Sequence, residues 1–111
     1  MNSLLFKAFA DPTRLRLLGL LSGREVCVCD LMAVLGAPQP KISRHLAYLR
    51  SAGLVVFRQE GKWRHYALAE PAGRVHARLT GCLSECFAEL GDLKRDRARL
   101  IKILKAKEKC R

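Results

Sequence analysis

The sequence predicts a mainly α-helical chain carrying one β-hairpin. Three observations point there. Two short helical patterns are split by a Gly- and Pro-containing turn at residues 36–40. Two strand-like runs rich in Val, Phe, Trp and Tyr follow directly. Further helical patterns stand before and after this block. Together these describe a winged helix-turn-helix with flanking dimerisation helices. At 111 residues the chain is long enough for one domain, read as residues 1–111. A second copy would help so small a core, through the N-terminal helix and residues about 71–108.

The elements follow in order. A short first helix carries Leu4, Leu5, Phe6 and Phe9. Asp11-Pro12-Thr13 reads as a helix start, with Asp as N-cap and Pro in the first turn. Leu15, Leu18 and Leu21 then recur at helical spacing until Ser22-Gly23. Asp30 is placed to cap a short helix bearing Leu31, Val34 and Leu35, starting there or a few residues earlier. After the turn Ala37-Pro38-Gln39-Pro40, a helix over Lys41 to Ala52 turns Ile42, Leu46 and Leu49 inward and stops at Gly53. Leu54 to Gln59 and Lys62 to Leu68 form the hairpin around Glu60-Gly61. Trp63 and Tyr66 are expected to pack it onto the core. Pro71 opens a long helical stretch with Val75, Leu79, Leu83, Phe87 and Leu90 on one stripe. Beyond Gly91 a last helix carries Leu93, Leu100, Ile101 and Leu104, its stripe interrupted by Arg97.

Charge narrows the partner. The formal net charge is +11, which suits a polyanion, because each cation near a phosphate releases a condensed counterion. A membrane surface would attract the same charge, and a merely solvated basic face is the plainer alternative. Only 6% of residues are aromatic, few for a pocket that stacks bases or sugars. No secretory signal and no apolar run of membrane-spanning length is visible, so a cytoplasmic location with reduced thiols and no membrane partner is expected. Five cysteines are an odd count for a disulfide framework.

The outward face of the Lys41–Ala52 helix shows Lys41, Ser43, Arg44, His45, Tyr48 and Arg50, with Gln39 at its start. Such side chains suit a major groove, where Arg and Lys read guanine and Ser or His reach edges or phosphates. A solvated helix face is the alternative for this segment alone. The hairpin adds Arg58, Gln59, Lys62 and Arg64 on a protruding ribbon suited to backbone or minor-groove contact.

At these residues a family resemblance is close. PKISRHLAYLRSAGLV (40–55) and GKWRHYAL (61–68) resemble the signature regions of ArsR/SmtB metalloregulatory repressors, and EVCVCDL (25–31) is similar to the sensor segment of arsenic-responsive members. The likeness runs from about Phe6 to Leu68. It implies a homodimer on an inverted-repeat, double-stranded operator, released when a metalloid binds. By position it implies DNA contact at Gln39, Lys41, Ser43, Arg44 and His45 and at the hairpin cations. Pro38 stands where family members often carry a small polar cap.

Cys27 and Cys29 are the candidate sensor. In an extended segment their sulfurs point the same way. In a regular helix they would lie roughly 200° apart and could not share one ion. Chelation therefore favours an extended or distorted backbone where the helix-turn-helix begins. Soft thiolates select thiophilic ions. The resemblance implies trivalent arsenic or antimony as inducing ligand, with no organic cofactor. Fuller motifs carry another cysteine where this chain has Met32, a weak thioether substitute. A two-thiolate site, or a third sulfur from Cys110, Cys82 or Cys86, all stay open. Cys82 and Cys86, four apart, are read first as buried packing on the helical stripe. Cys110 sits between Lys109 and Arg111, where cations favour a thiolate.

Other chemistries fit less well. Zinc-sensing relatives use Asp, His and Glu sets, whereas His76 has Arg74 two residues before it. Cadmium- and lead-type relatives carry N-terminal cysteines, and residues 1–26 have none. An enzyme is not expected: there is no C-x-x-C, and His45, His65 and His76 are thinly spread. A thiol redox-responsive repressor, one for another soft metal ion, and a ligand-free architectural DNA binder remain as alternatives. The tail from Lys94 to Arg111 holds nine cations against two acids, read as solvation plus dimer packing.

Overall fold

The computed structural model describes residues 3–109. Helix α1 (Ser3–Ala10) leads into α2 (Pro12–Leu21) through Asp11, whose carboxylate accepts the Arg14 amide at 3.0 Å. This is the N-cap the sequence predicted, with Pro12 in the first turn, where its missing N–H costs nothing. Leu17, Leu18, Leu20 and Leu21 are all buried, so α2 is the central helix rather than a surface one.

A two-residue strand, β1 (Val26–Cys27), follows and passes directly into α3 (Val28–Leu35). Asp30 is therefore not the cap. It lies inside the first turn of α3, buried, because the chain has already turned at Cys27. Helix α4 spans Gln39–Ser51, starting two residues before Lys41. Pro38 stands at its N-cap position and Pro40 fits its first turn, where a fixed φ suits the helix. Ile42, Leu46 and Leu49 are fully buried, as their spacing requires.

Strands β2 (Val55–Glu60) and β3 (Trp63–Leu68) pair antiparallel, with Phe57 opposite Tyr66 and Glu60 opposite Trp63. The hairpin loop is thus Gly61–Lys62, one residue later than expected. Gly61 has φ 60°, the positive angle a two-residue loop needs at its first position. β1 adds to the other edge of β3, giving the order β1-β3-β2. This third strand is too short to leave a sequence pattern. Tyr66 is buried as expected. Trp63, at the loop, is 40% exposed and does not pack the hairpin on the core.

Helix α5 (Arg74–Ser84) begins after Gly73, not at Pro71, since Ala69 still bonds to Leu54 and residues 69–73 are irregular. The long stripe also breaks. Glu85 leaves helical geometry and a 3-10 turn (Phe87–Glu89) follows, so Cys82 and Cys86 do not share one continuous helix. Cys82 is half-buried and Cys86 exposed, which corrects the expectation of a buried pair.

Helix α6 (Gly91–Lys109) crosses α2 and reaches α3. Gly19 permits the crossing: a Cβ there would stand 2.8 Å from Leu93 Cδ2. Asp96, buried, accepts two bonds from the Arg16 guanidinium at 2.8 and 2.9 Å. Arg97, which interrupts the apolar stripe, donates to the carbonyls of Gly19 and Ser22 at 3.3 and 3.4 Å. It thereby adds a donor at the C-terminal end of α2, where Gly19 O also accepts the Ser22 amide at 3.3 Å. No helix among the described residues is long and apolar enough to cross a membrane.

Candidate nucleic-acid interface and thiol site

The buried stripe of α4 fixes which of its residues face outward. Gln39, Lys41, Ser43 and Arg44 are exposed, while His45 and Tyr48 are half-buried. Gln39 and Ser43 line a groove of about 210 Å³ together with Gln59, Lys62 and Arg64 of the hairpin. The structure therefore brings residues predicted on two separate elements onto one polar concavity. No side chain caps α4; Pro40 has no amide proton, and the Lys41 and Ile42 amides donate to the Pro38 carbonyl at 3.1 and 3.2 Å.

Aromatic contacts hold the wing against the helix. The Phe57 ring has Arg64 over it at 4.2 Å and Arg50 at 4.6 Å, joining the last turn of α4 to the hairpin. Arg14 stacks on Tyr48 at 4.0 Å and donates to Lys7 O at 2.8 Å, tying α4 to the end of α1. Burial and the neighbouring cations Arg14, Arg44 and Lys41 hold the His45 pKa below its ordinary range, against the pull of Asp11.

Arg58 differs from the other predicted contacts. Its guanidinium meets Glu25 at 2.7 Å and Glu60 at 2.7 Å, and these hydrogen bonds raise its pKa. It is exposed yet engaged, so a phosphate would have to displace a carboxylate.

The thiols meet where β1 becomes α3. Cys27 has extended geometry (φ −66°, ψ 141°) and is also the N-cap of α3, whereas Cys29 lies in the first turn. This change of backbone between them places the sulfurs 2.8 Å apart, the non-helical arrangement that sharing an ion requires. The amide dipoles at the start of α3 favour negative charge there. Burial acts oppositely on Cys29. It leads a set of causes, with Cys27 and Asp30 beside it, that pushes that thiol up to about 11, while Lys107 pulls it down.

Lys107 was one of many tail cations in the sequence, with nothing to single it out. In the fold its Nζ lies 2.6 Å from Asp30 Oδ1 and 3.8 Å from Cys29 Sγ. The bond to Asp30 raises the Lys107 pKa. Cys27 also stands opposite His65 in the β1–β3 ladder, a neighbour invisible in sequence. Among the described residues no three His, Cys, Asp or Glu side chains are gathered as a metal-binding group. Cys110 lies outside the described residues.

Comparison with known proteins decides the family. Residues 11–56 match the model of bacterial regulatory proteins of the arsR family. Across 66 residues the chain is 58% identical to the arsenical resistance operon repressor of Escherichia coli (strain K12), covering 59% of this chain and 56% of that one. The homodimeric winged helix-turn-helix DNA-binding domain Mb0332 of Mycobacterium bovis, a possible ArsR-family transcriptional regulator, superposes with a TM-score of 0.63. It is 32% identical and covers 78% of each chain. The chain belongs to the arsR family.

A second solved structure, HlyU from Vibrio cholerae N16961, aligns with a TM-score of 0.68 at 31% identity, covering 78% of this chain and 91% of that one. The winged helix-turn-helix architecture is thereby shared with transcriptional regulators. The match to the E. coli repressor spans little more than half of that protein's length. The arsR match holds the thiol pair and α4 but ends before β3, α5 and α6. Lys107 and Cys82 thus lie outside the matched residues.

Proposed function

We propose that this arsR-family chain is a homodimeric transcriptional repressor that binds double-stranded operator DNA and releases it when trivalent arsenic or antimony bonds to Cys27 and Cys29. The observation that carries this reading is the 2.8 Å thiol contact between β1 and α3. Each sulfur belongs to a different part of the DNA-facing frame. Cys27 belongs to the strand paired with β3 of the wing, and Cys29 to α3, which packs on α4.

A metalloid bridging the sulfurs fixes their separation and angle, and therefore the angle at which β1 passes into α3. DNA selects one arrangement of α4 and wing, and the ligand selects another. Such coupling needs only a difference in affinity between the two arrangements: a hundredfold loss of operator affinity corresponds to about 2.7 kcal/mol. Gln39, Lys41, Ser43, Arg44 and His45 face the duplex from α4, and Lys62 and Arg64 from the wing. Arg58 joins them only where it leaves Glu25.

For the dimer we take α1 and residues about 71–108. Exposed Phe6 on α1 and Val75 on α5 support this, as does the homodimeric Mb0332 neighbour. The chain is read as one domain acting in the cytoplasm, as a regulator rather than an enzyme. The sulfur contact also suits a second reading, oxidation of the pair as the signal.

The test is a duplex-binding titration with arsenite, antimonite, zinc and cadmium, and separately with peroxide. Wild type should leave the duplex with arsenite or antimonite, and Cys27→Ser and Cys29→Ser should stay bound. Release by peroxide, reversed by reductant and absent with arsenite, would select the redox reading. Release by arsenite in either variant contradicts the proposed sensor.

A further inference from the structure

We propose that Asp30 and Lys107 form an oxygen subsite beside the two thiols, so that the inducer is held by two sulfurs and one hydroxyl and the site prefers inorganic to organic arsenic. This rests on the dithiol reading above and adds the identity of the third position.

Trivalent arsenic has three bonds to fill, and Cys27 and Cys29 fill two. Among the described residues no third Cys, His, Asp or Glu completes a metal-binding group with the thiols: Met32 is a neutral thioether, Cys82 lies near the end of α5, which packs on α2, and Cys86 lies beyond that helix. What stands beside the thiols is an oxygen-binding pair. Lys107 Nζ is 3.8 Å from Cys29 Sγ and 2.6 Å from Asp30 Oδ1. The Asp30 side chain is only 7% exposed, whereas that of Lys107 is 50% exposed. A carboxylate so buried is costly unless its partners are good ones, and here the partner is a flexible stem reaching from another helix.

The chemistry balances without a redox step. Arsenous acid, As(OH)3, exchanges two hydroxides for two cysteine sulfurs: two As–O bonds break and two As–S bonds form. Each thiol proton leaves with a hydroxide as water. The hydroxyl that remains lies one As–O bond from arsenic, itself one As–S bond from Cys29 Sγ. That brings it within reach of the ammonium already placed against this sulfur. Lys107 donates to the hydroxyl oxygen, and Asp30 accepts the hydroxyl proton. A carbon substituent in the same position would find a charged pair that it cannot satisfy, which is how such sites discriminate. Because Lys107 belongs to α6, filling the subsite also tightens α6 against α3.

The experiment is calorimetric titration of the DNA-free protein with two probes, sodium arsenite and phenylarsine oxide. The second carries a phenyl group where the first retains its hydroxyl. Lys107→Met should weaken arsenite by about tenfold or more and leave phenylarsine oxide within about threefold, since a charge-assisted hydrogen bond is removed for one probe alone. Asp30→Asn, isosteric and less disruptive of packing, should move in the same direction. Equal loss of both probes would make the pair a structural strut, and loss of neither would make it a bystander; either overturns the proposal. A tenfold loss of arsenite in Cys110→Ser would make the third ligand sulfur and overturn it too. If both probes bind unchanged in Cys27→Ser and Cys29→Ser, the dithiol reading itself fails, which the lysine variant alone would not show.

Discussion

Cys27 stands opposite His65 in the β1–β3 ladder, so the thiol pair and the wing share a strand pairing. A ligand on the sulfurs, as proposed, would therefore reach the hairpin directly through the β1–β3 pairing. Arsenite should change amide hydrogen exchange at His65 and Tyr66 more than at buried Leu17 or Leu18 of α2. A uniform change, or none in β3, would remove the wing from the relay.

Arg44 and Arg58 test the DNA face by contrast. Arg44 is exposed and makes no ion pair among the described residues, while Arg58 holds Glu25 and Glu60. Arg44→Ala should cost about 1–3 kcal/mol on a specific duplex if it reads a base. Lys62→Ala should weaken all sequences alike and lower the salt slope by about one. Arg58→Ala should change affinity least of the three. Duplex titrations at several salt concentrations separate these outcomes.

A second buried carboxylate, besides Asp30, joins two helices of the frame. Asp96 receives both bonds of Arg16, joining α6 to α2, whereas Asp92 pairs with Arg95 on the exposed face of α6. Asp96→Ala strands a partly buried guanidinium and should cost about 2–3 kcal/mol in denaturant unfolding. Asp92→Ala should cost less than about 0.5 kcal/mol. Equal effects would contradict the packing of α6 on α2.

Cys29 gives a pH signature. Its thiol is raised from 9.0 to about 11, led by burial, so the folded state holds that proton more tightly than the unfolded chain. The resulting stabilisation is present below the unfolded value and is lost as pH rises through the folded one. Wild type should lose melting temperature between those two values more steeply than Cys29→Ser. Thiolate absorbance should show a high-pH step that the variant lacks.

Much of the frame was legible because its signals are local. The Asp11-Pro12 cap, the Ile42/Leu46/Leu49 stripe and the strands around Gly61 each express their physics within a few residues. The thiol geometry was legible in outline, since a regular helix could not pair Cys27 with Cys29. What escaped depends on distant partners. β1 is two residues long and exists only because β3 offers it an edge. Asp30 looked like a cap because caps and buried ion-pair partners share a residue type, and only Lys107, far along the chain, distinguishes them. Pro71 and the stripe through Phe87 suggested one long helix, but the chain leaves helical geometry at Glu85, and Phe87 beyond it meets Phe9 of α1 at 6.4 Å between ring centroids.

The central claim is that the inducer bonds to the neighbouring thiols of Cys27 and Cys29. X-ray absorption at the arsenic edge, on arsenite-loaded protein, tests this most directly. The account predicts sulfur scatterers in wild type, with fewer in Cys27→Ser and in Cys29→Ser. An unchanged sulfur shell in both variants, or an all-oxygen shell in a wild type that still releases DNA, would contradict it.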